Sequence, residues 1–357
     1  MLPCPSRRGA CRHLQSLMQS SSVIHTIDTH TEGQPTRIIT RGLDHIPGAT
    51  MVEKRKYFRE NLDHVRTSLI AEPRGHRDMY GCVLTEPSRP GADFGIMYCH
   101  NSGYMDMCGH ATIGLSTALV DRRMVEVIEP VTKIVYDSPG GLVTAYVAVR
   151  DGRAEYVTFQ NVPGYVHYLD RELVVDGIGT LAVDAAYGGN DFIWFDAASI
   201  GLEIGPHNSR QIVDVCMRVM DAANAQLPVR DAYRSELRPT NIATALAVPH
   251  TTDAVAVRNV HVFGPGQFDR SPGGTGTTAR LSVLRAKGLI ELGDEVVIES
   301  GITDGLFRGK VLEEIELEDG RVGYVTTVRG SAHITGLHQF VIDPADPLKH
   351  GFLVSDA

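Results

Sequence analysis

Short apolar runs rich in β-branched residues recur along this chain, each cut off by Gly, Pro, Asn or Asp. Val23–Ile27, Leu142–Val149, Ala154–Phe159, Ala254–Phe263 and Glu295–Glu299 read as strands on that pattern. Helical spacing is rarer. Lys54–Arg66 is weakly amphipathic, and Arg210–Ala225 places Ile212, Val213, Val215, Cys216, Val219 and Met220 at helical intervals. Residues 110–123 are apolar on nearly every side until Asp121-Arg122-Arg123, which predicts a helix buried inside a lobe. A further helix is predicted over residues 275–287, where Arg285 and Lys287 precede the stop signal Gly288.

The last two helices follow Gly-containing turns, and an offset of 165 residues aligns them. It sets Cys108 on Gly273, Gly109 on Gly274, Thr112 on Thr277 and Leu119 on Leu284. The match predicts two similar lobes, each wrapping strands around a central helix, with both helix N-termini facing one cleft. The boundary is expected near Asn161-Val162-Pro163-Gly164. Residues 23–163 with 338–357 would form the first lobe and 164–337 the second; 1–22 would be an extension outside the fold.

At 357 residues the chain can bury a substantial core. A net charge of −9 is mild, and no Lys/Arg stripe marks a nucleic-acid surface. Lys54-Arg55-Lys56 is bracketed by Glu53 and Glu60 and reads as a solvated face. No apolar run approaches the ~20 residues of a membrane span. The six cysteines (Cys4, Cys11, Cys82, Cys99, Cys108 and Cys216) form no C-x-x-C pair, which points to a reducing, cytoplasmic compartment. Residues 1–22 carry Arg7, Arg8, Arg12 and several serines but no acidic residue; a transit peptide, a flexible tail or a later start at Met18 all fit.

The richest chemistry lies at Met107-Cys108-Gly109-His110. A thiol at a helix start sits beside N–H groups with no helical partner, and such sites lower a thiol pKa from about 8.5 to roughly 3.5–7.5. The same N–H groups suit a substrate carboxylate. An ionised thiol beside a bound carboxylate can take the α-proton of an amino acid. The plainer alternative is a buried structural cysteine.

Several blocks in order carry a resemblance. They include Asp28-Thr29-His30-Thr31-Glu32-Gly33, Glu72-Pro73-Arg74-Gly75-His76, Asp78-Met79-Tyr80-Gly81, Met107-Cys108-Gly109-His110, Ala186-Tyr187-Gly188-Gly189-Asn190 and Asp269-Arg270-Ser271-Pro272 with Gly274-Thr275-Gly276. In these the chain resembles the proline racemase family, which implies an α+β fold of two pseudo-symmetric lobes, each a strand-rich barrel around a central helix, as in diaminopimelate epimerase. The resemblance implies no cofactor, no metal and a small imino-acid substrate, with a homodimer as one option. It implies Cys108 as the catalytic base and a carboxylate held by the N–H groups of Gly109, His110, Gly274 and Thr275. The side chains of Asp269 and His110 would meet the ring nitrogen.

Racemases of the family carry a second cysteine between Ser-Pro and Gly-Thr-Gly, and here that position is Gly273. Members that have lost it, usually to Thr, resemble trans-3-hydroxy-L-proline dehydratases, in which one base suffices. Dehydration is therefore the expected activity, ahead of 4-hydroxyproline epimerase or proline racemase. A cysteine introduced at 273 is expected to return a second base on the opposite ring face. His30, Arg74, His76 and Asp78 are expected to be structural hydrogen-bonders, and Asn190 a contact near the cleft. A nicotinamide oxidoreductase, from the G-x-G-x-x-A match at Gly274–Ala279, requires a strand running into Gly274, which Asp269–Pro272 does not resemble. A non-catalytic imino-acid binder would have no use for the thiol.

Overall fold

The order of strand pairing is repeated in the two halves of the chain. A computed structural model describes residues 22–233, 237–252 and 254–354, so most of the predicted N-terminal extension lies outside the described residues. The first series is β1 (Ser22–Thr31), β2 (Gln34–Arg41), α1 (Met51–Tyr57), a π-helical turn at Phe58–Leu62, α2 (Asp63–Ile70), β3 (Tyr80–Thr85), β4 (Phe94–His100), β5 (Gly103–Met105), α3 (Gly109–Asp121), β6 (Val131–Ser138), β7 (Gly141–Arg150) and β8 (Arg153–Gln160). The second is β9 (Gly164–Val175), β10 (Gly179–Tyr187), β11 (Asp191–Asp196), α4 (Ser209–Gln226), a small ribbon of β12 (Val229–Arg230) and β13 (Leu237–Arg238), β14 (Ile242–Ala247), β15 (Ala256–Phe263), β16 (Gln267–Phe268), α5 (Gly274–Ala286), β17 (Val296–Ser300), β18 (Leu306–Glu316) and β19 (Val322–Gly330). The chain then returns as β20 (Ala332–Ile342), which pairs with β1 from Ala332 opposite Thr31 to Ile342 opposite Ser22.

Neighbours in the first lobe run β20-β1-β2-β3-β4-β6-β7-β8. In the second they run β9-β10-β11-β14-β15-β17-β18-β19, and β19 pairs back onto β9 to close the barrel. Parallel pairs fall at matching places, β2/β3 and β4/β6 against β11/β14 and β15/β17. A parallel pair needs a crossover, and the helices supply it. In each lobe one crossover stays outside and the other runs through the barrel. The pairing of β8 with β19 joins the lobes.

Sequence pattern decides which helix goes where. α4 is amphipathic and buries Ile212, Cys216 and Val219 against Ala243, Ala245, Val260 and Val262 on the outer face of its barrel. α3 is buried from Gly109 to Val120, as its all-round apolar pattern predicts. Its polar side chains are satisfied inside: Ser116 donates to the Thr112 carbonyl (2.7 Å) and meets the Tyr136 hydroxyl (2.8 Å), and Thr112 meets the Tyr98 hydroxyl (2.7 Å). The Lys54–Arg66 pattern spans α1, the π-helical turn and the start of α2, and Phe58, Val65 and Leu69 pack on Ile39, Val83 and Met97.

Candidate active site

Helices α3 and α5 both have 13 residues, start 165 positions apart and meet end to end between the barrels. Their N-caps are Cys108 and Gly273, and neither receives a side-chain capping bond. In α3 the Thr112 N–H and hydroxyl both donate to the Cys108 carbonyl (3.1 and 2.7 Å); in α5 those of Thr277 donate to the Gly273 carbonyl (2.8 and 2.7 Å). The first N–H groups of both helices therefore lack helical acceptors. A β-carbon on Gly109 would come within 2.5 Å of the Gly274 Cα, so the two ends abut only because both residues are glycine.

Cys108, Gly109, His110, Asp269, Gly274 and Thr275 all line one cavity of about 30 Å³ between the lobes. That space holds about one water. Tyr80, Asn190 and Phe263 complete much of the wall. Cys108 Sγ lies 3.4 Å from His110 Nδ1, which lies 3.8 Å from Asp269 Oδ2. Asp269 Oδ1 accepts from the Ser271 N–H and hydroxyl, both at 2.8 Å. Thr31 holds the His110 carbonyl at 2.8 Å, and the Tyr80 ring stands edge-on to the imidazole with centroids 4.6 Å apart. Asn190 donates to the Met107 carbonyl at 2.8 Å, while its own Oδ1 is buried without a hydrogen-bond partner.

Burial reverses one electrostatic expectation. Cys108 is 6% exposed, and desolvation pushes its thiol up, although the Ala111 and His110 N–H groups and the Tyr80 hydroxyl favour the thiolate. Burial therefore favours the neutral thiol over the ionised one expected from its helix position alone. Burial also lowers His110 to about 3, keeping it neutral, and raises Asp269 to about 6. Arg270, behind the wall, offsets part of the burial at Asp269, but no Lys or Arg side chain lines the cavity itself.

Gly273 departs from its twin. It is left-handed (φ 81°, ψ 110°), whereas Cys108 is extended (φ −146°, ψ 116°). It does not line the cavity, and a β-carbon there would overlap the His261 imidazole. The expectation that a cysteine at 273 alone restores a second base is thus corrected: the backbone favours glycine and the space is filled. His261 was missed by sequence reasoning; its only signal is a lone His in the apolar run of β15.

Also missed was Arg238, which bonds Asp106 (2.6 Å), Asp191 (2.9 Å) and Asp231 (2.9 Å). Asp106 also binds Arg55 at 2.6 Å. Burial disfavours the Asp106 charge, but Arg55 and Arg238 outweigh it and hold the carboxyl below its usual range. This charge cluster ties the second lobe to the segment two residues before Cys108. The residues expected to be structural make these bonds: Asp78 meets Arg270 at 2.7 Å, Arg74 reaches the Lys349 carbonyl at 3.3 Å, His30 Nδ1 accepts the Gly33 N–H at 3.2 Å and the His76 backbone carbonyl accepts from Asn101 at 2.7 Å. Asp269–Gly273 lead into α5 as a turn, not a strand, which removes the dinucleotide reading. No helix among the described residues is long and apolar enough to cross a membrane.

Twin barrels that close two helix N-termini over a buried thiol define the class of two-lobed isomerase-like α+β enzymes. Within it, the proline racemase family pattern matches residues 26–353, and the chain belongs to that family. A 4-hydroxyproline 2-epimerase of Streptosporangium roseum is 44% identical, over 94% of this chain and 100% of the relative. A trans-3-hydroxy-L-proline dehydratase of Bacillus thuringiensis subsp. konkukian is 39% identical over the same shares. Among solved structures, a hydroxyproline epimerase from Agrobacterium vitis with bound trans-4-hydroxy-L-proline superposes with a TM-score of 0.87 at 28% identity, covering 94% of this chain and 96% of that one.

Proposed function

We propose that this enzyme dehydrates trans-3-hydroxy-L-proline to Δ1-pyrroline-2-carboxylate with Cys108 as its single base. The observation that carries the reading is the asymmetry of the two N-caps: a thiol at 108 and, at 273, a glycine with no proton to give or take. The first lobe (residues 23–163 with the returning C-terminal segment) and the second (from 164) act as jaws on the substrate.

The carboxylate binds the helix-end N–H groups of Gly109, His110, Gly274 and Thr275, and the ring ammonium binds the Asp269 carboxylate beside His110. That ammonium brings a positive charge to the cavity wall and favours both the Asp269 carboxylate and the Cys108 thiolate. In the trans isomer the 3-hydroxyl shares a ring face with the α-hydrogen. The thiolate takes that hydrogen, breaking C–H and forming S–H, while charge moves onto the gripped carboxylate. The electron pair then forms the ring double bond as the 3-hydroxyl departs, taking the proton from sulfur. Water leaves, the thiolate is regenerated, and the enamine tautomerises off the enzyme.

NMR of the purified protein in D2O with trans-3-hydroxy-L-proline, proline and both 4-hydroxyproline epimers tests this. Water loss from the first without inversion of the others is expected. Rapid epimerisation of 4-hydroxyproline, the activity named for the Streptosporangium relative, would sink it.

A further inference from the structure

The space a second base would occupy is filled. His261 projects from β15, is 2% exposed, and packs its ring edge-on against Phe192 and Trp194 at 5.5 and 5.6 Å. A β-carbon on Gly273 would overlap its Nε2, and one on Gly276 would come within 2.5 Å of Cε1. The imidazole is thus seated against the N-cap glycine of α5 and a glycine of its first turn, and neither position has room for a β-carbon.

Both ring nitrogens are engaged. Nε2 lies 3.0 Å from the Pro272 carbonyl, so it donates there, and Nδ1 accepts from the Thr244 hydroxyl at 2.7 Å. Burial lowers the group to about 4 and keeps it neutral. A ring with no free lone pair and no place on the cavity wall does not exchange protons with a substrate. It does hold the Ser271-Pro272-Gly273 turn by its carbonyl, beside the one N-cap that departs from its twin.

We propose that His261 is the specificity-determining residue of this site: its imidazole plugs the second-base position, keeps Gly273 left-handed and confines the chemistry to the Cys108 face. The specificity half of this inference rests on the one-base reading above, whereas the plug itself does not.

The test is a double-mutant cycle in the full-length protein with Gly273→Cys and His261→Val, read by Tm and by α-deuterium incorporation with inversion of proline or 4-hydroxyproline. Gly273→Cys alone is expected to lower Tm by about 5 °C or more and to give no inversion. In the His261→Val background the same change costs much less, and inversion appears. Gly273→Ala with His261→Ala reads the same coupling with smaller changes if the cysteine pair folds poorly. Additive Tm losses in both cycles would overturn the plug. So would inversion by Gly273→Cys alone as fast as in the pair. A folded pair that exchanges the α-proton without ever inverting it overturns the specificity assignment, as does inversion by the unaltered protein that vanishes in His261→Val. Coupled Tm losses together with unaltered protein that fails to dehydrate trans-3-hydroxy-L-proline would leave the plug standing and remove the one-base reading.

Discussion

Gly109 and Gly274 touch through their backbones, each one's absent β-carbon standing 2.5 Å from the other's Cα. That contact brings two helix ends from opposite barrels close enough for one small anion to bridge them. Alanine at either position forces the ends apart, since the new methyl group meets the backbone of the facing glycine and the Phe159 ring. Gly109→Ala is expected to cost about 1–3 kcal/mol of stability from overpacking and to lower kcat/KM by about 100-fold or more through lost N–H contacts. Urea unfolding and steady-state kinetics with the NMR-identified substrate check both numbers; unchanged kinetics would mean that the carboxylate does not bind there.

Cys108→Ser keeps the size of the side chain and the first turn of α3 while removing the acidity of the thiol. Turnover is expected to fall by about 10²–10⁴-fold, the range of a lost general base, with substrate affinity by calorimetry nearly unchanged. Retained turnover would make the thiol structural.

Asp269, raised to about 6 by burial and held by the two Ser271 donors, is expected to set an acid limb. Below that value it takes up a proton and no longer balances an ammonium, so kcat/KM is expected to fall as pH drops through about 6. The bound cation favours the carboxylate, so the same limb in kcat lies lower. Asp269→Asn removes the limb along with most of the affinity. A profile flat from pH 5 to 8 contradicts this assignment.

Arg238 satisfies three carboxylates at once, Asp191 and Asp231 buried and Asp106 largely so. Arg238→Met leaves Asp106, Asp191 and Asp231 without it and is expected to cost about 3–5 kcal/mol in chemical denaturation. Arg238→Lys recovers little, because an ammonium lacks the planar fork that reaches all three. Losses below about 1 kcal/mol would place the cluster among ordinary surface pairs.

Local pattern alone carried much of this molecule. The all-round apolar run at 110–123 and the amphipathic run at 210–225 each appear within a residue or two as α3 and α4, because a helix's surroundings are written in which of its faces are apolar. The 165-residue offset foresaw two equivalent helix ends, since Cys108 and Gly273, and Thr112 and Thr277, keep the same spacing from the helix start. Cys108, Gly109, His110, Asp269, Gly274 and Thr275 were identified from residue type, position and family resemblance, and all line the cavity. What the linear sequence does not hold is the dielectric around a group or the occupant of a space. The charge state of Cys108 depends on how completely the two lobes close over it, and N–H groups that favour a thiolate lose to that burial. Arg238 and Asp106 meet across 132 positions of sequence. Gly273 read as an absence, and only the tertiary fold puts a ring from another strand, His261, into the space its side chain would have needed.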